Sequence, residues 1–275
     1  MERPPPPAAA ESFDRSAQVY DGHVATNRAG ARRLVASIPE GRYPRLLDVG
    51  CGTGFASLEA IPRLGVERIV GVDASASMLE VFRERLRDVP GVEADLQASD
   101  VLGMRVDDAS VDLVLCTMAL HWFTDRPAAV ARMGRALAPG GALGMLAPAP
   151  AHDRETVALV RATGDPVLSR LADSIEDNEI DPDVLAGYLR AAGLEPEDIW
   201  TEERRRVVTP RAYGARMEAV GSHLWSDLPA GDQAAAIAAM YALFEGAAGP
   251  DGAYRYSFVK TFAVARRRGD SGPTG

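Results

Sequence analysis

The stretch from Arg45 to Glu59, Arg-Leu-Leu-Asp-Val-Gly-Cys-Gly-Thr-Gly-Phe-Ala-Ser-Leu-Glu, limits what the chain can fold into more than any other. Leu46, Leu47 and Val49 make a short apolar run of the kind that forms a buried parallel strand, and a helical pattern starts after Gly54. Between them Gly50, Gly52 and Gly54 open backbone torsions closed to other residues and let a ligand approach the main chain. A dinucleotide fingerprint would need its third glycine at position 55, which is Phe55. A phosphate loop would end in Gly-Lys-Ser/Thr, and no lysine lies near this turn. What remains is a turn fit for a nucleoside-type ligand, or an α/β turn that holds none.

The downstream segments favour the ligand. Glu67 to Asp73 reads as a second apolar strand ending in an acid, and a carboxylate there can accept both hydroxyls of a ribose. Leu96 to Val101 places Asp100 at the end of a third strand. Asp48, Asp73 and Asp100 thus follow three successive strands.

Asp48 to Gly54, Val72-Asp73, Ser99-Asp100-Val101 and Ser110 to Asp125 together resemble successive motifs of the class I S-adenosylmethionine-dependent methyltransferases. Ala119-Leu-His-Trp-Phe123 is similar to the small-molecule branch that includes the trans-aconitate and malonyl-carrier-protein methyltransferases. The resemblance covers roughly residues 12 to 148, with a weaker echo in the last strand. It implies a Rossmann-like α/β fold with a seven-strand sheet, mostly parallel. The last strand would be inserted antiparallel between the fifth and sixth, with N-terminal helices and a helical cap added. It also implies S-adenosylmethionine as cofactor and S-adenosylhomocysteine as product. Asp48 and the turn of Gly50, Cys51, Gly52 and Gly54 would hold the methionine portion. Asp73, followed by Ala74, would take the ribose hydroxyls, and Asp100 with Val101 the adenine edge. Met78 would pack on the adenine or serve as ordinary core. Tyr20 would lie over the cofactor or pack its helix on the sheet, and His23, three residues on, would reach the pocket or solvent.

Val111 to Thr117 reads as a fourth strand, central and beside the first. Ligands of open α/β sheets bind beyond the carboxyl ends of the strands, so Thr117 to Trp122 should face the site of chemistry. A sulfonium methyl is already electrophilic, so this chemistry mainly requires alignment and needs no metal. A hydroxyl, ammonium or carbon nucleophile also needs a base. His121 has the intrinsic pKa for that role, or else shapes the pocket by hydrogen bonding. Trp122 would wall the cofactor or the substrate.

Two hundred and seventy-five residues, 47% apolar, suffice for one α/β core with an elaboration. The expected order is a disordered tail over 1–11, then N-terminal helices and the cofactor half over 12–150. Linking helices and a sixth strand would occupy 151–209, a helical cap 210–250, a final strand 251–268, and a second tail 269–275. Within the first half, helices are expected over Thr53 to Arg63, Ser75 to Arg87 and Arg126 to Leu137. Pro139-Gly-Gly141 would then stop the chain before a fifth strand, Ala142 to Ala147. A helical pattern over 153–175 precedes Glu176-Asp-Asn-Glu179, read as a solvated loop. Asp183 to Ala192 is expected as a helix, Ile199 to Val208 as the sixth strand and Tyr254 to Arg266 as the last.

Thirty basic against 39 acidic residues give a net charge of −9, which disfavours nucleic acid as a partner. Cys51 and Cys116, the two cysteines, and the lack of an apolar leader or long apolar run fit a soluble, reduced, cytoplasmic setting without membrane association. A homo-oligomer is left open. The expected function is methyl transfer to a small organic acceptor, a metabolite or natural-product intermediate, with oxygen favoured over carbon or nitrogen. Two alternatives stand beside it: a carrier-protein-bound carboxylate as acceptor, or a non-methylating protein that uses the bound cofactor structurally.

Overall fold

The structure is a computed structural model of the chain and describes residues 25–269. Helix α1 (Ala25–Ser37) leads into β1 (Arg45–Val49), the glycine turn and α2 (Phe55–Leu64). Next come β2 (Arg68–Asp73), α3 (Ala76–Leu86), β3 (Glu93–Ala98), β4 (Val111–Thr117), a 3-10 turn (Leu120–Trp122), α4 (Arg126–Ala136) and β5 (Leu137–Pro148). Helices α5 (Arg154–Thr163), α6 (Pro166–Asp177) and α7 (Pro182–Ala191) precede β6 (Leu194–Val208). Helix α8 (Pro210–Gly221), a second 3-10 turn (Ser222–Trp225), α9 (Ala230–Gly246) and β7 (Tyr254–Arg267) complete it.

The seven strands form one sheet in the order β3-β2-β1-β4-β5-β7-β6. The first five strands run parallel, and β7 is inserted antiparallel to both of its neighbours, β5 and β6. Strand order reverses between β1 and β4, so their carboxyl ends flank a crevice. Alternation along β1 sends Leu46 into the core on one face, with Leu34, Ile69, Phe82 and Leu115, and Leu47 into the other, with Val72, Val114, Met133 and Leu143. Burying each such side chain stabilises the fold by roughly 1.5–3 kcal/mol. A third core joins α5, α6, α8 and α9 through Leu171, Tyr213, Met217, Trp225, Met240 and Phe244, seated on Tyr254, Tyr256 and Phe258 of β7. The cap core therefore draws on residues 154–177 as well as on the stretch after 210.

Local sequence explains the elements near the crevice. Ser75 caps α3 by accepting a hydrogen bond from Met78 N at 3.1 Å, and Met78, Leu79 and Phe82 form the buried face of that helix. Asp125 caps α4 through Ala128 N, with Pro127 in the first turn.

Four expectations need correction. Pro139-Gly-Gly141 does not stop the chain before a strand: β5 starts at Leu137 and runs through it. Gly140, at φ +79°, and a register shift opposite Asp112 carry the backbone from helix directly into strand. The third strand ends at Ala98, so Asp100 lies in the loop beyond it. The sixth strand starts at Leu194 and lengthens into a ribbon with β7. Glu176 to Glu179 is not a solvated loop: α6 runs to Asp177, Glu176 bonds Arg161 at 2.5 Å, and Glu179 accepts the His152 N–H at 2.9 Å. Burial pushes the Glu179 carboxyl above its ordinary pKa. Among the described residues no helix is long and apolar enough to cross a membrane.

Candidate functional site

The crevice holds a cavity of about 400 Å³. One wall is the glycine turn, tied to β2 by hydrogen bonds from Gly50 N and Cys51 N to Val72 O at 2.7 and 3.1 Å. Two glycines are sterically required there. Gly50 has φ +65°, and a Cβ on it would come 2.2 Å from the Ala119 Cβ; at Gly54, φ +84°, a Cβ would come 2.0 Å from the Phe82 ring. A Cβ at Gly52 would meet nothing within 4 Å, so that peptide faces open space. A bare backbone facing a cavity at the end of a parallel strand lets a ligand approach the main chain closely.

Asp73 stands on the opposite lip. Its Oδ2 accepts Gly52 N at 2.8 Å and its Oδ1 accepts Ser75 N at 2.9 Å, so the carboxylate is oriented by two backbone groups while lining the cavity. Ala74 and Met78 continue this wall, Met78 being buried, and Asp100 and Val101 form the next. Asp100 Oδ1 accepts Gly103 N at 2.7 Å, which fixes the loop after β3. Thr117 and Trp122 close the side toward β4. Cys51 lines the cavity as a free thiol; burial, and then the nearby carboxylates of Asp73 and Asp48, push its pKa up. Burial does the same for Cys116, so both sulfurs stay protonated and unreactive.

Asp48 lies behind the turn and does not line the cavity. It is fully buried, Ser57 Oγ donates to its Oδ2 at 2.6 Å, and Oδ1 has no partner among the described residues. Burial first, with repulsion from Asp73, pushes its pKa up to about 7. A raised carboxyl pKa means that the fold favours the protonated form. The contribution of Asp48 is complete below the ordinary carboxyl pKa of about 4, and is lost as pH rises through about 7. Asp48→Asn should therefore gain stability relative to the parent between those limits, by about 4 kcal/mol at most, and level off above. Urea unfolding of both proteins at pH 5 and pH 8 tests this; parallel losses would refute it.

A smaller cavity of about 90 Å³ adjoins the first, with Asn27, Met118 and Trp122 in the walls of both. His121 is buried and faces this second space rather than the first, its ring 5.0 Å from that of Trp122. His152, Asp153 and Arg216 form its polar side, with Leu171 and Met217 from the cap. Two aromatics of the cap turn away from this space: Tyr213 bonds Thr156 at 2.6 Å and Trp225 donates to Val167 O at 3.0 Å, both inside the cap core. His223 meets the edge of Trp122 at 5.5 Å. Tyr20 and His23 lie outside the described residues.

Sequence reasoning missed Asn27, Phe55, His152 and Asp153 as lining residues. His152 and Asp153 had one usable signal, their place just past the carboxyl end of a predicted strand. Met118 lies in the stretch from Thr117 to Trp122 expected to face the site, and it lines both cavities with a φ of +54°.

Residues 46–141 match the family model described as a methyltransferase domain. The chain is 31% identical over 198 residues to the trans-aconitate 2-methyltransferase of Deinococcus radiodurans, spanning 70% of this chain and 64% of that protein. It is 31% identical over 136 residues to the malonyl-[acyl-carrier protein] O-methyltransferase of Serratia marcescens, spanning 50% of this chain and 51% of that protein. The chain thus spans between half and two thirds of the length of these relatives. Among solved structures it superposes on the YcgJ protein from Bacillus subtilis with a TM-score of 0.59 at 18% identity, over 87% of this chain and 99% of that one. At that identity the likeness concerns the fold alone. Residues 46–141 thus match a methyltransferase domain, and the glycine turn and the sheet order with its inserted antiparallel strand give this chain the fold of the solved structures it superposes on.

Proposed function

We propose that the protein transfers a methyl group from S-adenosylmethionine to a small organic acceptor bound in the second cavity. The observation that carries this reading is the pair of adjacent cavities that share Asn27, Met118 and Trp122. The larger has the glycine cradle and the Asp73 and Asp100 carboxylates expected around a nucleoside, and the smaller opens beside it across Trp122. The bare peptide at Gly52 and the outward lip at Asp73 fit the cofactor's amino-acid and ribose portions. When bound, the cofactor supplies an electrophilic methyl carbon.

The chain's residues do the rest. Asp73 would accept hydrogen bonds from the ribose hydroxyls, Met78 and Val101 would pack on the base, and Asp100 would take its polar edge. Gly52, with no side chain, would leave room beside Cys51 for the methionine portion, and Thr117 and Trp122 would bound the side toward the acceptor. Trp122 separates the two ligands and, with the cap, keeps water from the space between them. His121, on the acceptor side, takes the proton of a hydroxyl acceptor. The small volume of the second cavity and its cap-built wall favour a metabolite-sized acceptor over a carrier protein.

Calorimetric titration with S-adenosylmethionine, followed by detection of S-adenosylhomocysteine with candidate acceptors, tests the reading; absence of cofactor binding overturns it. His121→Gln should lower kcat about a hundredfold or more on a hydroxyl acceptor and leave cofactor affinity unchanged. A carboxylate acceptor, already ionised, would show no such loss, so the size of the effect also reports the acceptor atom.

A further inference from the structure

Arg216 lies on α8 of the cap and lines the small cavity, yet its side chain is only 12% exposed. Five N–H donors sit on that group. Among the described residues they make one hydrogen bond, from a terminal nitrogen to Asp153 Oδ2 at 3.1 Å. The flat ion is ringed by Tyr213, Tyr256 and Phe258, whose centroids lie 5.0–5.7 Å from its central carbon, so its plane is fixed by aromatic walls. The donors that make no bond belong to a side chain that lines the small cavity, where the oxygens of a ligand can accept from them.

Asp153 carries three anomalies of its own. It is 1% exposed, its backbone sits at φ +50°, and its Oδ1 has no partner among the described residues. It holds the N-cap position of α5 but makes no side-chain cap bond, because its carboxylate turns to Arg216. His152 stands beside it with Nδ1 2.6 Å from Val259 O, which makes that nitrogen the donor and leaves Nε2 3.6 Å from Asp153 Oδ2. Burial lowers the pKa of this histidine, and beside it the ion pair of Arg216 and Asp153 brings hydrogen-bond donors to the cavity with opposite charges matched.

We propose that Arg216 is the acceptor-recognition residue of this protein, binding a carboxylate or carbonyl oxygen of the acceptor in the small cavity, with Asp153 as the residue that positions the guanidinium. The assignment builds on the methyl-transfer reading, for it places the anchored end of the acceptor away from the reacting end, across the space bounded by Trp122 and Met118. An oxygen held by Arg216 is a poorer nucleophile, so the methylated atom is a second group of the same molecule.

The test is calorimetric titration of the full chain with benzoate, hexanoate and trans-aconitate, and with benzamide and hexanamide, each with and without S-adenosylhomocysteine. At least one acid or amide should bind the parent protein. Arg216→Lys, which keeps the charge but loses the fork, should weaken that binding roughly tenfold to a hundredfold and leave the affinity for S-adenosylhomocysteine unchanged. The double variant Asp153→Asn/Arg216→Met leaves no unpaired buried charge and should lose the binding altogether. Asp153→Asn alone, with asparagine tolerated at positive φ, should tighten benzoate by removing the competing charge and leave benzamide as it was. Acid binding without amide binding identifies a carboxylate anchor, and equal binding of both identifies a carbonyl anchor. Probe affinities indifferent to Arg216, or a parent protein that binds none of the five probes, overturn the proposal. Failure to bind S-adenosylhomocysteine while benzoate binding still depends on Arg216 would instead strike at the methyl-transfer reading and leave the anchor standing.

Discussion

Alanine in place of Gly50 is expected to unseat the cofactor and cost the fold about 2–5 kcal/mol. Two effects add. The φ of +65° costs an L-residue roughly 1–2 kcal/mol, and a Cβ placed 2.2 Å from the Ala119 Cβ must push one backbone segment aside, at about 1–3 kcal/mol. The yielding segment is the one that enters the 3-10 turn of Leu120–Trp122, so the strain is delivered to the wall shared by the two cavities. Thermal unfolding should fall by several degrees or more, and calorimetry should find no S-adenosylmethionine binding at concentrations that saturate the parent. Gly52→Ala is the internal control. It also sits at positive φ, but its Cβ would meet no protein atom, so it should lose less stability while still obstructing the cradle. Equal stability losses in the two variants would show that torsion alone, and not the contact with Ala119, sets the cost.

Asp73→Ala is expected to weaken S-adenosylmethionine binding by about 1.5–3 kcal/mol for each ribose hydrogen bond removed, tenfold to more than a hundredfold per bond. The same carboxylate accepts Gly52 N and Ser75 N, so its loss also leaves two backbone donors of the turn without their oxygen. Stability and affinity therefore fall together in the alanine variant. Asp73→Asn separates them, because its one carbonyl oxygen can keep one backbone donor while its amide nitrogen cannot accept from a hydroxyl. The expected result is partial recovery of the melting temperature with little recovery of affinity. Full recovery of both would move the ribose contact to another residue.

What could be read in advance was local. A strand, a glycine turn and a helix are specified within fifteen residues, because Leu46, Leu47 and Val49 must be buried and Gly50 and Gly54 admit no side chain. The Ser75 cap and the acid ending β2 are equally local, and both stand where the pattern put them. The small cavity was not legible for the opposite reason. Asp153 and Arg216 come from separate halves of the cap and meet only once α5 and α8 pack on the aromatic run of β7. No spacing along the chain encodes such a meeting, and an arginine in an amphipathic helix looks the same whether it faces solvent or a cavity. Leu137 to Gly141 misled for a third reason: proline and glycine usually end an element, but here a register shift absorbs them and the strand continues.

The insertion of β7 between β5 and β6 has a consequence for the order of events during synthesis. Once Val208 has been made, β6 has no strand to pair with, because its sole neighbour in the sheet is β7. The apolar edge of β5 waits for the same partner. At about 5–20 residues per second, the segment between Val208 and Tyr254 keeps both edges unpaired for some seconds after β6 emerges. During that interval the nascent chain is a half-sheet with two sticky borders, the condition in which strands pair with the wrong chain. The charges that crowd β6, from Glu202 to Arg206, guard one border, and β5 has no comparable defence along Ala142 to Leu146. Yield of folded protein at high expression should accordingly be governed less by the stability of the finished sheet than by how soon its last strand arrives.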